Sequence, residues 1–153
     1  MSELAATIGA RLDDVRARIA AAATRAGRDA AAVRLVAVSK TYSADHVRAA
    51  IAAGQQDFGE NKVQEGLQKI TETADTTIRW HVIGHLQSNK ARKAAEAFHW
   101  IHAVDSVGLL TKIDEGAAAA GRRPRVLVQV DLAGETTKFG ASPDEVPGIF
   151  AAA

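Results

Sequence analysis

The first 27 residues carry apolar side chains at helical spacing. They recur at steps of four, four, three and four residues, at Leu4, Ile8, Leu12, Val15 and Ile19. This spacing places them along one stripe of a helix. Because glycine is a typical residue at a helix end, the pattern predicts a leading amphipathic helix that ends near Gly27.

After this helix, short apolar and β-branched runs alternate with alanine-rich stretches of helical character. Such runs are typical of buried strands. We predict five strands, at residues 33–39, 56–59, 78–84, 100–104 and 125–130. Between the strands, Ser43, Ser88 and Ser106 are predicted to cap helix starts, and Gly54 and Gly121 to end helices.

The predicted strands start at regular intervals of 23, 22, 22 and 25 residues. Repeated β/α units of this size build a parallel sheet, which is either a closed barrel or an open, doubly wound sheet. An open sheet that binds dinucleotides would have a glycine-rich turn after its first strand. Residues 39–42 contain no glycine. We therefore predict an α/β fold of the (β/α)8 TIM-type barrel.

The chain of 153 residues is short for such a barrel. Complete barrels have about 250 residues, and at least about 200. Three further units of about 23 residues would bring the length into that range. The sequence thus predicts a barrel truncated to about five β/α units with a leading helix, forming one domain over residues 1–153.

Polar residues follow every predicted strand. In a β/α barrel these positions meet at one rim and form the active site. The first strand leads to Lys40, and the later strands lead to Glu60, Asn61, His85, Gln87, Asn89, Asp105, Ser106, Asp131, Glu135 and Lys138. For Ser106 and Asp131 alone, an ordinary role at a helix start or in a loop is the simpler interpretation.

Lys40 is the most informative of these residues. Lysine is a poor helix cap, and at a barrel mouth partial burial would disfavour its ammonium form. A deprotonated amine can attack an aldehyde and form a Schiff base with a carbonyl substrate or with pyridoxal phosphate. The alternative is a structural ion pair with Glu60 or Asp105.

The composition of the chain limits the classes of partner and the cellular location that we predict. The chain has 19 basic and 18 acidic residues, a net charge of +1 and no cysteine. It therefore has no large positive field for nucleic acid or an anionic membrane, and no thiolate chemistry. We expect a small-molecule ligand, and no nucleic acid or membrane partner. Because we find no signal peptide and no membrane-spanning run, we predict a cytoplasmic location.

A metal site is not predicted. His81 and His85 have the spacing of helical zinc ligands, but they fall on a predicted strand. Four residues span about 13 Å there, so one ion cannot bind both. We interpret His81 as a hydrogen-bonded strand residue and His85 as a loop residue near a ligand.

Five sequence blocks occur in a specific order: VAVSKTYS, FGENKVQE, WHVIGHLQSNK, AVDS and VLVQVDLAGETTKFG. Together they resemble the pyridoxal phosphate homeostasis protein family, whose fold is similar to the amino-terminal barrel of alanine racemase. The resemblance runs from the leading helix to about Gly140. It implies a barrel that carries pyridoxal phosphate as a Schiff base on Lys40, with Asn61 and His85 around the ring.

The resemblance implies a binding protein that affects vitamin B6 and amino-acid pools, with no catalysed reaction. Two alternatives stay open. The first is a pyridoxal-phosphate-dependent racemase or decarboxylase, which would need a second acid/base opposite the lysine. Tyr42 is the only tyrosine, and it follows Lys40 too closely for that role. The second is an inert partial barrel that lacks the phosphate clamp of its relatives.

Overall fold

The structure is a computed structural model that describes residues 2–135 and 138–153. Within these residues, helices and strands alternate after a leading helix. The helices are α1 (Glu3–Arg25), α2 (Ala44–Ala52), α3 (Val63–Thr73), α4 (Ala91–Ala97), α5 (Val107–Ala119) and α6 (Val146–Ala151). The strands are β1 (Ala37–Val38), β2 (Asp57–Glu60), β3 (Arg79–Val82), β4 (Trp100–Val104) and β5 (Arg125–Val128). None of the helices described is long and apolar enough to cross a membrane.

The five strands form one parallel sheet in the order β1-β2-β3-β4-β5. Each strand therefore pairs with its neighbour along the chain, and a helix connects β1 to β2 and each later pair. A doubly wound sheet would reverse its strand order at one point. The uninterrupted order is that of consecutive β/α units of a barrel, so the structure confirms the predicted fold class and the five units.

The apolar core lies between the sheet and its helices. Alternate strand residues point to this side, and Phe58, Trp80 and Ile101 are each at most 2 % exposed. Phe98, which follows α4, lies against Gly66 on α3. A Cβ atom on Gly66 would come within 2.4 Å of the Phe98 ring. Only glycine therefore allows α3 to pack this closely over the ring.

The opposite, inner face of the sheet is more open at its two edges. Val38 on β1 is 49 % exposed and Leu127 on β5 is 45 % exposed. Both strands pair on one side only. Large apolar side chains on edge strands favour association with other chain segments.

Most of the predicted local signals are confirmed. Ser106 caps α5 by accepting a hydrogen bond from the Leu109 amide at 3.2 Å, and Gly54 and Gly121 have the positive φ values of helix ends. Ser43 precedes α2, but its hydroxyl bonds His46 Nδ1 instead of a backbone amide.

Several boundaries differ from the prediction, and β3 and β5 each end two residues earlier than predicted. A short 3-10 turn (Ser88–Lys90) precedes α4, so Ser88 lies inside that turn and does not cap it. The first strand was predicted at residues 33–39, yet only Ala37 and Val38 pair with β2. Because β2 begins at Asp57, it has no residue opposite 33–35.

Candidate functional site

The carboxyl ends of the parallel strands meet at one edge of the sheet, and the predicted site residues lie there. Lys40 comes two residues after β1, Asn61 follows β2 directly, and His85 comes three residues after β3. Other polar residues predicted at this rim serve local structure. Asp131 accepts hydrogen bonds from the Ala133 and Gly134 amides, and Lys138 pairs with Glu135 at 2.9 Å.

Lys40 is exposed, and its side chain makes no hydrogen bond or ion pair within the described residues. The expected partial burial of this amine is therefore wrong. The physical reason is the position of β1 at the sheet edge, where no neighbouring strand covers the residues that follow it. The alternative ion pair with Glu60 or Asp105 is also not formed, because Glu60 binds Lys69 instead.

Lys40 occupies a central position of a tight turn. The Tyr42 amide donates to the Ser39 carbonyl at 3.1 Å, which makes Lys40 and Thr41 the two middle residues. Thr41 has a φ of 67°, a value that turns of this kind normally assign to glycine or asparagine. For a β-branched residue this conformation costs roughly 1–3 kcal/mol. The turn that presents Lys40 is thus strained.

Asn61 and His85 line one cavity of about 330 Å3, together with Lys62, Gln64, Gln87 and Lys90. Gly84 brings the two loops together, since a Cβ atom at this position would come within 2.6 Å of the Asn61 carbonyl oxygen. The structure therefore joins two of the three predicted site residues. Lys40 is not among the residues that line this cavity.

The loop after β5 contacts His85, one of the residues that line this cavity. The Phe139 ring stacks on the His85 imidazole, with ring centroids 3.5 Å apart and planes 10° from parallel. Phe139 is nevertheless 52 % exposed. Sequence analysis did not single out this phenylalanine, because no spacing rule relates residues from the third and fifth loops.

Directly behind the Lys40 turn lies a buried charged group, which we call the Lys69 cluster: Ser39, Glu60, Glu65 and Lys69. The Lys69 ammonium donates to the Ser39 carbonyl at 2.6 Å, to Glu60 Oε1 at 2.7 Å and to Glu65 Oε1 at 2.8 Å. All three of its protons are used. Lys69 is 4 % exposed and Glu60 is 0 % exposed.

The two carboxylates of this cluster extend the contacts to the turn itself. Glu60 Oε1 accepts from the Ser39 hydroxyl at 2.6 Å, and Glu65 Oε1 accepts from the Thr41 amide. The hydrogen bond from Lys69 lowers the pKa of the Glu65 carboxyl, and the Thr41 amide lowers it further. Glu60 Oε2 is buried without a hydrogen-bond partner among the described residues.

Sequence analysis placed Glu60 at the rim, and this is wrong. Glu60 alternates with Gly59 along β2 and shares the helix-facing side with Phe58, so it points under α3. Lys69 was not identified as a site residue at all. The available signal was weak: Glu65 and Lys69 have the spacing of a helical ion pair, which most often lies on an exposed surface.

A second charged group lies on the inner face of the sheet and includes the first residues of β2 and β3. We call it the Asp57 cluster: Asp57, Arg79, His81 and His102. Arg79 binds both oxygens of Asp57, at 2.8 and 2.6 Å. His81 Nε2 lies 2.9 Å from Asp57 Oδ1, and His81 Nδ1 lies 2.9 Å from His102 Nε2. The predicted hydrogen-bonded strand role of His81 is confirmed, whereas the role of His102 was missed.

The Asp57 cluster also shifts the titration of its members. Burial alone would raise the pKa of Asp57, but hydrogen bonds from Arg79 and His81 hold it below its usual value. Burial lowers the pKa of His81 and of His102, although the Asp57 carboxylate opposes the shift at His81. With both rings neutral, His102 donates to His81, and His81 donates to Asp57.

Comparison with known proteins adds independent evidence. The profile of the family described as "Alanine racemase, N-terminal domain" matches residues 10–153. The chain is 46% identical over 143 residues to a pyridoxal phosphate homeostasis protein of Pseudomonas aeruginosa, covering 94% of this chain and 62% of that protein. For the protein of the same name from Escherichia coli (strain K12), identity is 43% over 148 residues, covering 95% and 63%.

A solved structure gives the same result. PipY of Synechococcus elongatus PCC7942, in a structure with PLP bound, is 40% identical with a TM-score of 0.80, covering 94% of this chain and 62% of that one. The chain thus spans a little under two thirds of the length of these relatives.

Proposed function

Since the chain belongs to the alanine racemase N-terminal domain family, we propose that it binds pyridoxal 5'-phosphate through a Schiff base on Lys40. The observation that carries the proposal is the exposed amine of Lys40 at the carboxyl edge of the sheet, with no bonding partner within the described residues. Similarity to a protein solved with PLP bound supports the choice of cofactor.

The residues present fit an aromatic aldehyde. The Lys40 nitrogen would attack the aldehyde carbon, a carbon–nitrogen double bond would form, and the aldehyde oxygen would leave as water. Asn61 and His85 line a cavity on the same edge, where the amide and the imidazole can donate to or accept from ring substituents. We assign these two residues to orienting the cofactor and Lys40 to holding it.

We further propose that the role is binding and homeostasis rather than catalysis, as the names of the curated relatives support. A racemase would need a second acid/base on the opposite face of the substrate carbon. Tyr42 lies in the same turn as Lys40 and packs beside His46, with ring centroids 5.1 Å apart. On the sequence evidence, we propose a cytoplasmic protein whose ligand is this cofactor.

The test is covalent labelling of the purified chain. Incubation with pyridoxal phosphate followed by borohydride should leave one cofactor per chain by intact mass, and peptide mapping should place it on residue 40. The Lys40→Ala variant should stay colourless, whereas Lys93→Ala, which removes an exposed lysine of α4, should label normally. Equal labelling of Lys40→Ala and wild type would refute the assignment.

The same material distinguishes the two alternatives. Interconversion of free amino-acid enantiomers by the loaded protein over several hours would favour a racemase over a carrier. A wild-type chain that stays colourless with excess cofactor would favour an inert partial barrel that lacks a phosphate clamp.

A further inference from the structure

We infer that Lys69 and Glu65 are positioning residues for Lys40, an assignment that rests on the proposed function. Neither side chain is adjacent to Lys40 in sequence, and both come from α3 rather than from the turn. They act through the two residues on either side of Lys40. One bond holds the Ser39 carbonyl, and the other holds the Thr41 amide.

The pattern of bonds supports this role. Lys69 binds Ser39, Glu60 and Glu65, and the two carboxylates bind the Ser39 hydroxyl and the Thr41 amide. The cluster therefore directs three of its hydrogen bonds to the residues that flank Lys40. The Lys40 side chain itself is left out of the cluster, so its amine is available to a ligand.

The Lys69 cluster is not expected to add much to the net stability of the fold. Replacing a buried ion pair by well-packed apolar residues is often neutral or stabilising, because desolvation offsets the attraction between the charges. Here two carboxylates share one ammonium, and Glu60 Oε2 is buried without a partner among the described residues. A buried arrangement that is electrostatically unbalanced and converges on one turn indicates a function of that turn.

The conformation of Thr41 explains why the turn needs external support. A φ of 67° is unfavourable for threonine, so this backbone would relax if nothing held it. The bond from the Thr41 amide to Glu65 fixes the amide on the far side of Lys40. Relaxation would change the backbone of the turn at Lys40 as well, since turn types with a negative φ at the second central residue have a different ψ at the first.

Glu65→Ala is the most informative variant. It removes the acceptor of the Thr41 amide but leaves the pair between Lys69 and Glu60 intact, and the Glu65 side chain is already 27 % exposed. The fold should therefore survive. The matched control is Glu96→Ala, which removes an ion pair with the same helical spacing from the exposed surface of α4.

Two measurements are needed, one of them on the protein without cofactor. By NMR, the Thr41 amide of Glu65→Ala should exchange with solvent at least about tenfold faster than in wild type, the size expected for loss of one hydrogen bond to a charged group. The dissociation constant for pyridoxal phosphate should rise by about tenfold for the same reason. Glu96→Ala should change neither quantity.

A second substitution that restores binding would distinguish loss of Lys40 positioning from general disruption of the fold. Thr41→Gly in the Glu65→Ala background should recover a large part of the affinity, because glycine adopts a positive φ without support. If Glu65→Ala binds pyridoxal phosphate with the same affinity as wild type, the positioning role is overturned and the proposed function still stands. A wild-type chain that forms no reducible adduct would refute both.

Discussion

The Lys69 cluster and the Asp57 cluster use the same strand, β2, in opposite ways. Glu60 ends β2 and turns toward the helices, whereas Asp57 begins β2 and faces the inner side of the sheet. The first cluster contains two carboxylates and one ammonium, and it bonds the backbone of a loop. The second bonds side chain to side chain between neighbouring strands.

This difference indicates a division of roles along the strands. On the inner face, Asp57, His81 and His102 connect β2, β3 and β4, so their bonds can fix the strand pairing. At the carboxyl ends, Lys69 connects a helix to the turn that carries Lys40. Barrel enzymes concentrate stability at the amino-terminal face and chemistry at the carboxyl-terminal face.

The largest expected effect is that of Lys69→Met. The substitution leaves the carboxylate of Glu60 buried without a cation, and removing one partner of a buried pair costs about 3–5 kcal/mol. Urea denaturation should show a loss of that size in the free energy of unfolding. Lys93→Met, at an exposed position of α4, should change it by less than about 0.5 kcal/mol. A loss below about 1 kcal/mol in Lys69→Met would contradict a structural role for the buried pair between Lys69 and Glu60.

Asp57→Asn should have a smaller effect on stability and none on the turn. Arg79 is partly exposed, so water can replace part of the hydrogen bonding that its guanidinium loses. We expect the free energy of unfolding to fall by about 1.5–3 kcal/mol. Within the described residues, no hydrogen bond or ion pair joins the Asp57 cluster to residues 39–42. Exchange of the Thr41 amide in native conditions should therefore match wild type. Faster exchange would mean that the two clusters are coupled and that the division of roles is wrong.

The general fold could be predicted from spacing because each β/α unit repeats the same local pattern. Strand starts predicted at residues 56, 78 and 100 lie within one residue of those observed, and β5 starts at Arg125 as predicted. The error was at β1, where strand length depends on the partner. Ala37 and Val38 pair with Phe58 and Gly59, and β2 extends no further to meet the preceding residues.

The candidate site was predictable only in part. Lys40, Asn61 and His85 were located correctly at the carboxyl edge, since parallel strands bring their ends together. The contact between Lys69 and Ser39 joins residues 30 positions apart, and no local pattern encodes it. The direction of Glu60 could have been inferred from the two-residue period of β2, which places it on the same side as the buried Phe58.

The smallest expected effect is a gradual loss of stability in mild acid. It arises from histidines on the inner face of the sheet and next to β4. Burial lowers the pKa of His81, His99 and His102 in the folded chain, whereas a histidine in the unfolded chain titrates near 6.5. As the pH falls below about 6.5, the unfolded chain therefore binds protons that the folded chain does not, and the free energy of unfolding decreases.

The lowered pKa of Asp57 acts in a separate and more acidic range. Its contribution is complete above the ordinary value of about 3.9 and is lost as the pH falls through the lower folded value. Urea midpoints between about pH 7 and pH 5 thus report the histidines alone among these groups. His102→Gln should make the decline shallower, because it removes one of these histidines. Stability that stays level or rises over this range would contradict neutral, buried histidines in the Asp57 cluster.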